Sequence, residues 1–307
     1  MADRNLVVGN LLVVASMAIW ATGFPLAPIL LEHWHPMYLA AVRLAAGAVF
    51  LIILMGLLGR LSELRWAPWR DCLAIGGLGL GMAAIFLTFG QRLTDPVVVA
   101  IIATMVPVIS AIMGAFSGTE RISARLMLAI ALAVTGGVFA VGGFSGGAID
   151  LQGGEILVLA STIGFTWFSR ASVERLAHMR DLAKATATMM ASALVVVAVA
   201  LTVTGFGLIV PSYDFSATSL AQIFWFACIA NAGAMALWFV GIRILGVTVG
   251  GMHQNLVPFY VMLMAVALGG VFVFDQLWAA LLVILGTILA QFEPRQYLHV
   301  FSRRRVP

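Results

Sequence analysis

Long apolar runs separated by short polar or basic breaks make up most of this chain. The runs cover residues 6–31, 37–59, 71–92, 95–117, 123–142, 153–174, 183–210, 219–243, 248–271 and 276–293. A helix needs about 20 mostly apolar residues to cross a bilayer, so each run predicts one crossing. The fold class expected is therefore all-α integral membrane, with ten transmembrane helices in two groups of five. Five is odd, so two homologous halves of this kind must sit upside down relative to each other. Such inverted repeats place a substrate site between the halves at the membrane midplane.

The repeat is visible in the residues. Gln91-Arg92-Leu93-Thr94-Asp95 precedes the fourth run, which reaches Met105-Val106-Pro107-Val108. Ile242-Arg243-Ile244-Leu245-Gly246 precedes the ninth, which reaches Leu256-Val257-Pro258-Phe259. Arg92 and Arg243 are 151 apart, as are Pro107 and Pro258. Ala15-Ser16 in the first run matches Ala160-Ser161 in the sixth at an offset of 145, which puts Phe165 where Trp20 stands, with Trp167 two residues later. The organisation expected is a first repeat over 1–142, a glycine-rich outer linker over 143–152, a second repeat over 153–293 and a basic tail over 294–307.

Composition excludes a soluble domain. The 307 residues are 62% hydrophobic and only 10% charged, against roughly 25% charged in soluble chains, and the mean hydropathy is +1.07. The net charge of +4 could suggest nucleic acid, but its placement does not. With the N-terminus in the cytoplasm and ten alternating helices, nearly every Arg and Lys falls inside and only Arg92 falls outside. That asymmetry orients a multi-pass protein with both termini cytoplasmic. Arg303-Arg304-Arg305 then reads as a topology anchor against anionic lipid. The apolar run after Asp3 and Arg4 is too long for a cleavable signal, so the first helix is expected to stay. Cys72 and Cys228 give neither metal spacing nor a disulfide framework.

The chemistry available within the spans is sparse. Pro107 and Pro258 lie mid-span and Pro25 interrupts the first span; a proline removes a helix hydrogen bond, so these three read as hinges or cavity-facing kinks. Arg43 lies about two turns into the second span. A charge there costs about 2.5–3.5 kcal/mol on insertion scales, and it reads either as a cation for a substrate carboxylate or as a side chain snorkelling to the headgroups. His253-Gln254-Asn255 is the densest polar cluster of any span. Residues on a helix turn about 100° each, so the three cannot all face one site; His253 and Asn255, about 200° apart, are both lining candidates of which at most one faces a cavity squarely, with Thr104 the first-half counterpart of Asn255. Asn231 is a lone amide, expected as helix glue or substrate contact. Trp20, Phe24, Trp167, Trp238 and Tyr260 lie away from the interfaces where lipid-facing aromatics concentrate and are candidate cavity walls. Trp34, Trp66, Trp69 and Trp278 read as interfacial belt residues.

Absences narrow the function further. No carboxylate sits near the middle of a span, no His, Asp and Glu cluster suits a metal, and no nucleophile–base pair appears, so no cofactor, metal or catalytic residue is expected.

Ile19-Trp20-Ala21-Thr22-Gly23-Phe24-Pro25, the mid-helix prolines, Glu120-Arg121-Ile122 before the fifth run and the doubled five-helix unit resemble the EamA type of the drug/metabolite transporter superfamily, and within it the YddG aromatic amino-acid exporters. The resemblance implies a bacterial inner-membrane exporter of aromatic or other hydrophobic amino acids, a monomer or weak homodimer whose partners are a small zwitterion and the lipid bilayer. It implies alternating access around a cavity enclosed by spans 1, 3, 4, 6, 8 and 9, with spans 5 and 10 bracing the outside. A broad drug or metabolite exporter on the same scaffold is the nearer alternative, and a membrane-embedded lipid-modifying enzyme the distant one.

Overall fold

A computed structural model describes residues 2–117, 124–140, 152–245 and 253–291. The expected linker, the Glu120-Arg121-Ile122 loop and the basic tail lie outside these residues. All regular structure among the described residues is helical. That is the only open-ended solution in hydrocarbon, where no water can satisfy a free N–H or C=O and each helix satisfies its own.

Seven described helical stretches are long and apolar enough to cross a membrane: Leu6–Leu31, Pro36–Leu57, Trp69–Leu93, Pro96–Phe116, Gly154–Arg175, Asp181–Gly205 and Ala217–Leu245. Shorter apolar helices cover Met127–Gly136 and Phe274–Gly286, and Val257–Ala267 adds an eleven-residue helix where the ninth span is expected. The protein is thus multi-pass, and described helices of sufficient length match seven of the ten expected crossings, the first four and the sixth to eighth.

Several of these stretches are broken. The first divides into α1 (Ala2–Ala21) and α2 (Gly23–Leu31). The second is one helix, α3 (Pro36–Leu57). After the short helices α4 (Ser62–Arg65) and α5 (Trp69–Cys72), the third passes through a π-helical segment, Leu73–Gly81, into α6 (Met82–Leu93). The fourth splits into α7 (Pro96–Ala103) and α8 (Val106–Phe116). Next come α9 (Ala124–Ala140), α10 (Gly154–Arg175) and α11 (Asp181–Gly205). The eighth mirrors the third, with α12 (Ala217–Ile223), a π-helical segment Phe224–Gly233 and α13 (Ala234–Leu245). A 3-10 turn, His253–Leu256, leads into α14 (Val257–Ala267), and α15 (Phe274–Gln291) closes the described chain.

The expected hinge prolines do not kink continuous helices. Pro107 and Pro258 are each the second residue of a helix that restarts, after the Thr104–Met105 turn and the 3-10 turn respectively. Pro25 is the third residue of α2, after the break at Thr22. Their missing N–H groups therefore fall in first turns, where the backbone donor lacks a helical partner anyway. Pro28 is the one inside a described helix.

Packing between helices obeys an exchange rule. Contact of α1 with α13 is matched by contact of α10 with α6, and α3 on the segment Phe224–Gly233 by α11 on Leu73–Gly81. Three pairs, α3 with α11, α7 with α14 and α9 with α15, map onto themselves. The equivalence extends to single atoms. A Cβ on Gly90 would lie 2.6 Å from Val158 Cγ2 and 3.0 Å from the Gly154 carbonyl oxygen; one on Gly241 would strike Val13 Cγ2 and lie 3.5 Å from the Gly9 carbonyl oxygen. The helices approach closely at both places because no side chain intervenes, the usual way small residues join membrane helices.

The end of α3 nearest Arg43 is fixed by His35. Its Nδ1 accepts from the Met37 N–H at 3.2 Å, capping the helix, and its ring sits edge-on to Phe89 at 5.9 Å. Burial holds the imidazole below its ordinary value of 6.5.

Two outcomes follow from this packing. Gly90→Val and Gly241→Val each overpack a backbone crossing and should lower stability in detergent by about 3 kcal/mol, whereas Gly205→Val, where nothing lies within 4 Å, should be neutral; a thermal-unfolding series decides. Because the fold favours neutral His35, the unfolded chain takes the proton first. Stability attributable to His35 should fall as pH drops below 6.5, and His35→Asn, which caps without titrating, should remove that part of the loss.

Candidate functional site

Residues from both the first and the second part of the chain line one cavity. Its walls are built in pairs. At the offset of 145, Ser16 faces it with Ser161, Met17 with Thr162, and Trp20 with Phe165. At 151, Leu80 pairs with Asn231, Ala83 with Ala234, Ala84 with Met235, Leu87 with Trp238, and Ala103 with Gln254. Only Arg43 and Val106 line it without their equivalents, which are Thr188 and Val257.

The paired walls are fastened by paired hydrogen bonds. Ser16 Oγ donates to the Ala234 carbonyl at 2.7 Å, and Ser161 Oγ donates to the Ala83 carbonyl at 2.7 Å. Each serine thus reaches the point where a π-helical segment returns to α-helix, a place where the ordinary ladder is disturbed. Ser192 Oγ donates to the Gly76 carbonyl at 2.7 Å inside the first π segment.

A smaller, narrow pocket adjoins the large one and shares Trp20, Arg43, Leu87 and Asn231 with it; Gly23, Phe24, Gln91, Phe226 and Ala230 complete its wall. Trp20 and Phe24 meet edge to face at 4.9 Å. The Arg43 guanidinium lies 5.3 Å from the Phe226 ring centre, a cation–π contact. Arg43 is only 6% exposed and its Nε has no hydrogen-bond partner. Gln91 Oε1 in the smaller cavity and Gln254 Oε1 in the larger are likewise buried without a partner. Asn231 Nδ2 reaches Met189 Sδ at 3.9 Å. Among the described residues no carboxylate lines either cavity.

Of the residues expected from sequence, Trp20, Phe24, Arg43, Asn231 and Trp238 line one or both cavities. Five others stand elsewhere. Trp167 is 38% exposed and lies against Gly79 from outside, because Phe165, two residues earlier, takes the inward direction. Thr104 is buried and spends its hydroxyl on the Ile101 carbonyl at 2.7 Å. His253 and Asn255 flank the residue that does face the cavity, Gln254. Tyr260 packs against the hydrophobic core one turn beyond the break. Trp34, expected as an interfacial residue, is 4% exposed and donates Nε1 to Ser219 Oγ at 2.9 Å. Span 2 joins the expected cavity-forming spans through Arg43, while α9 and α15 pack on each other and contribute no lining residue.

Sequence reasoning missed Gln91, Gln254 and the serine pair as lining groups. All were in view, Gln91 and the serines as repeat markers and Gln254 in the polar cluster. Polar residues at matched offsets within apolar spans were the available signal.

One end of the bundle is held by charge. Arg180 Nη1 lies 3.0 Å from Glu63 Oε1, which also accepts from Arg60 Nε at 2.7 Å. The Arg60 guanidinium holds the Glu63 carboxyl below the usual carboxylate range, and Glu63 raises Arg60 in turn. Arg243 pairs with Asp181 at the same end. At the other end Arg92 Nη1 donates to the Leu31 carbonyl at 2.7 Å, closing the last turn of α2 onto α6.

Residues 7–142 match the EamA-like transporter family, so the first part of the chain is similar to a transporter domain of that family. No curated protein matches the chain significantly. Among solved structures, the crystal structure of one protein aligns with 94% of this chain and 96% of its own at a TM-score of 0.66 and 19% identity, a likeness of fold alone.

Proposed function

We propose that the chain is a membrane exporter of aromatic and other apolar amino acids, working by alternating access with little or no ion coupling. Ten crossings form two inverted five-helix repeats with both termini in the cytoplasm of a bacterial cell. The carrying observation is the cavity itself, whose walls come in equivalent pairs from the two halves. A substrate held there is enclosed by both halves, and rocking one against the other would expose it to either side. The helix breaks at Thr22, at Thr104–Met105 and over His253–Leu256 are places where such motion can be absorbed.

Substrate class follows from the lining. Trp20, Phe165, Trp238, Met17, Leu80 and Leu87 make an apolar aromatic wall, and a ring stacked on Trp20 gains about 0.5–1.5 kcal/mol beyond burial. The single cation, Arg43, disfavours organic cations and so speaks against the broad drug exporter. With no carboxylate in either lining, a proton has no acid to ride on. An enzyme would want an acid–base pair in reach of substrate, and the cavity offers none.

The test is counterflow in proteoliposomes with labelled Phe, Trp, Met, Thr and Lys, with and without a pH gradient. Phe, Trp and Met should exchange, Lys should not, and the gradient should change nothing. Trp20→Ala should lower Phe and Trp exchange by about 2- to 10-fold, the stacking energy expressed as a ratio, with a smaller effect on Met. Exchange of organic cations in place of Phe would overturn the reading.

A further inference from the structure

Two of the buried groups without partners line one pocket. Arg43 Nε is a donor with nothing to donate to, and Gln91 Oε1 is an acceptor with nothing to accept from. Both lie in the wall of the smaller cavity, with Asn231 and the aromatic rings of Trp20, Phe24 and Phe226. A buried, unpaired polar group weakens a fold, and a lone cation more so; the Phe226 ring at 5.3 Å offsets only part of that. At the repeat offsets Arg43, Gln91 and Asn231 stand opposite Thr188, Ile242 and Leu80. These three groups are thus not duplicated, unlike the serine pair Ser16 and Ser161.

We propose that Arg43 and Gln91, beside Asn231, form a headgroup subsite that takes the α-carboxylate and α-ammonium of an amino acid, directing its side chain into the larger cavity. The proposal rests on the amino-acid reading above and adds the recognition and orientation of the substrate. The chemistry selects a zwitterion. A carboxylate gives Arg43 the acceptor it lacks, through a charge-assisted hydrogen bond. An ammonium gives Gln91 Oε1 a donor. An amine alone would meet Arg43 as a like charge, and an acid alone would leave Gln91 Oε1 unpaired. Both cavities share Trp20, Arg43, Leu87 and Asn231, so a molecule with its headgroup in one can place its side chain in the other. The side chain would then lie among Met17, Leu80, Phe165 and Trp238, where no charged residue follows it.

Ligand-induced thermal stabilisation of the full-length, detergent-purified protein tests this with four probes: phenylalanine, phenylalaninamide, hydrocinnamate and phenethylamine. Phenylalanine should bind at least tenfold more tightly than any of the other three. Arg43→Gln should weaken phenylalanine and hydrocinnamate at least tenfold and leave phenylalaninamide unchanged or improved, with Arg43→Lys retaining part of the loss. Gln91→Leu should weaken phenylalanine and phenylalaninamide and spare hydrocinnamate. Without ligand, Arg43→Gln should melt no lower than the parent, since it removes an unpaired buried charge. Equal losses for all four probes, a lower melting point of ligand-free Arg43→Gln, or no binding of phenylalanine by the parent would overturn the subsite. Counterflow of phenylalanine separates the two readings. Unchanged exchange by Arg43→Gln overturns the subsite and leaves export standing; the full binding pattern without exchange by the parent supports the subsite and overturns export.

Discussion

A lipid interior supplies no hydrogen bonds, and this constraint organises the protein. Each backbone group must find a partner within its own helix, on a neighbouring helix or in a cavity. Breaks in the helices can therefore occur only where something compensates them. They occur here at Thr22, at Thr104–Met105, over His253–Leu256 and along the π segments Leu73–Gly81 and Phe224–Gly233. Compensation is local: Thr22 and Thr104 return hydroxyl bonds to the carbonyls three residues back. Across helices, Ser16, Ser161 and Ser192 donate to carbonyls at or beside the π segments. These irregular places surround the cavity, so the backbone that permits a cavity is also the backbone that would permit motion.

Duplication and asymmetry divide the work between them. The equivalent positions give both parts of the chain a share in the cavity wall. A zwitterion is not symmetric, and the groups suited to it, Arg43, Gln91, Asn231 and Gln254, each stand opposite a residue with far weaker polarity, Thr188, Ile242, Leu80 and Ala103 respectively. The first half contributes Arg43 and Gln91, and the second contributes Asn231 and Gln254. Holding a buried guanidinium with an unsatisfied Nε weakens the fold, and occupation of the site by substrate would recover what is lost.

Much of this was legible in sequence, and the limit lies in helix rotation. Span positions and the repeat offset follow from apolar runs and from Arg92, Arg243, Pro107 and Pro258. Trp20 and Arg43 were identifiable because a midspan tryptophan and a cation inside a span are poorly suited to lipid. Which neighbour faces inward was not identifiable, as Phe165 against Trp167 shows. Residues 253–255 were ambiguous for a further reason: the 3-10 turn changes the angle between successive side chains, and Gln254 faces the cavity. The π segments carry no sequence signature beyond small residues, so the inward turn of Leu80 and Asn231 was read only in part. Proline marked the places of helix breaks, since a missing N–H is tolerated best in the first turn after a break.

The central claim, that equivalent positions of the two halves face one substrate-filled space, is tested most directly at Ala84 and Met235. Each would be replaced by Cys in a background where Cys72 and Cys228 are Ala, and labelled with a small thiol reagent in reconstituted membranes. Both cysteines should react, and phenylalanine should slow both reactions to a similar degree. Labelling of only one position, or labelling of both that phenylalanine does not affect, would contradict a shared cavity.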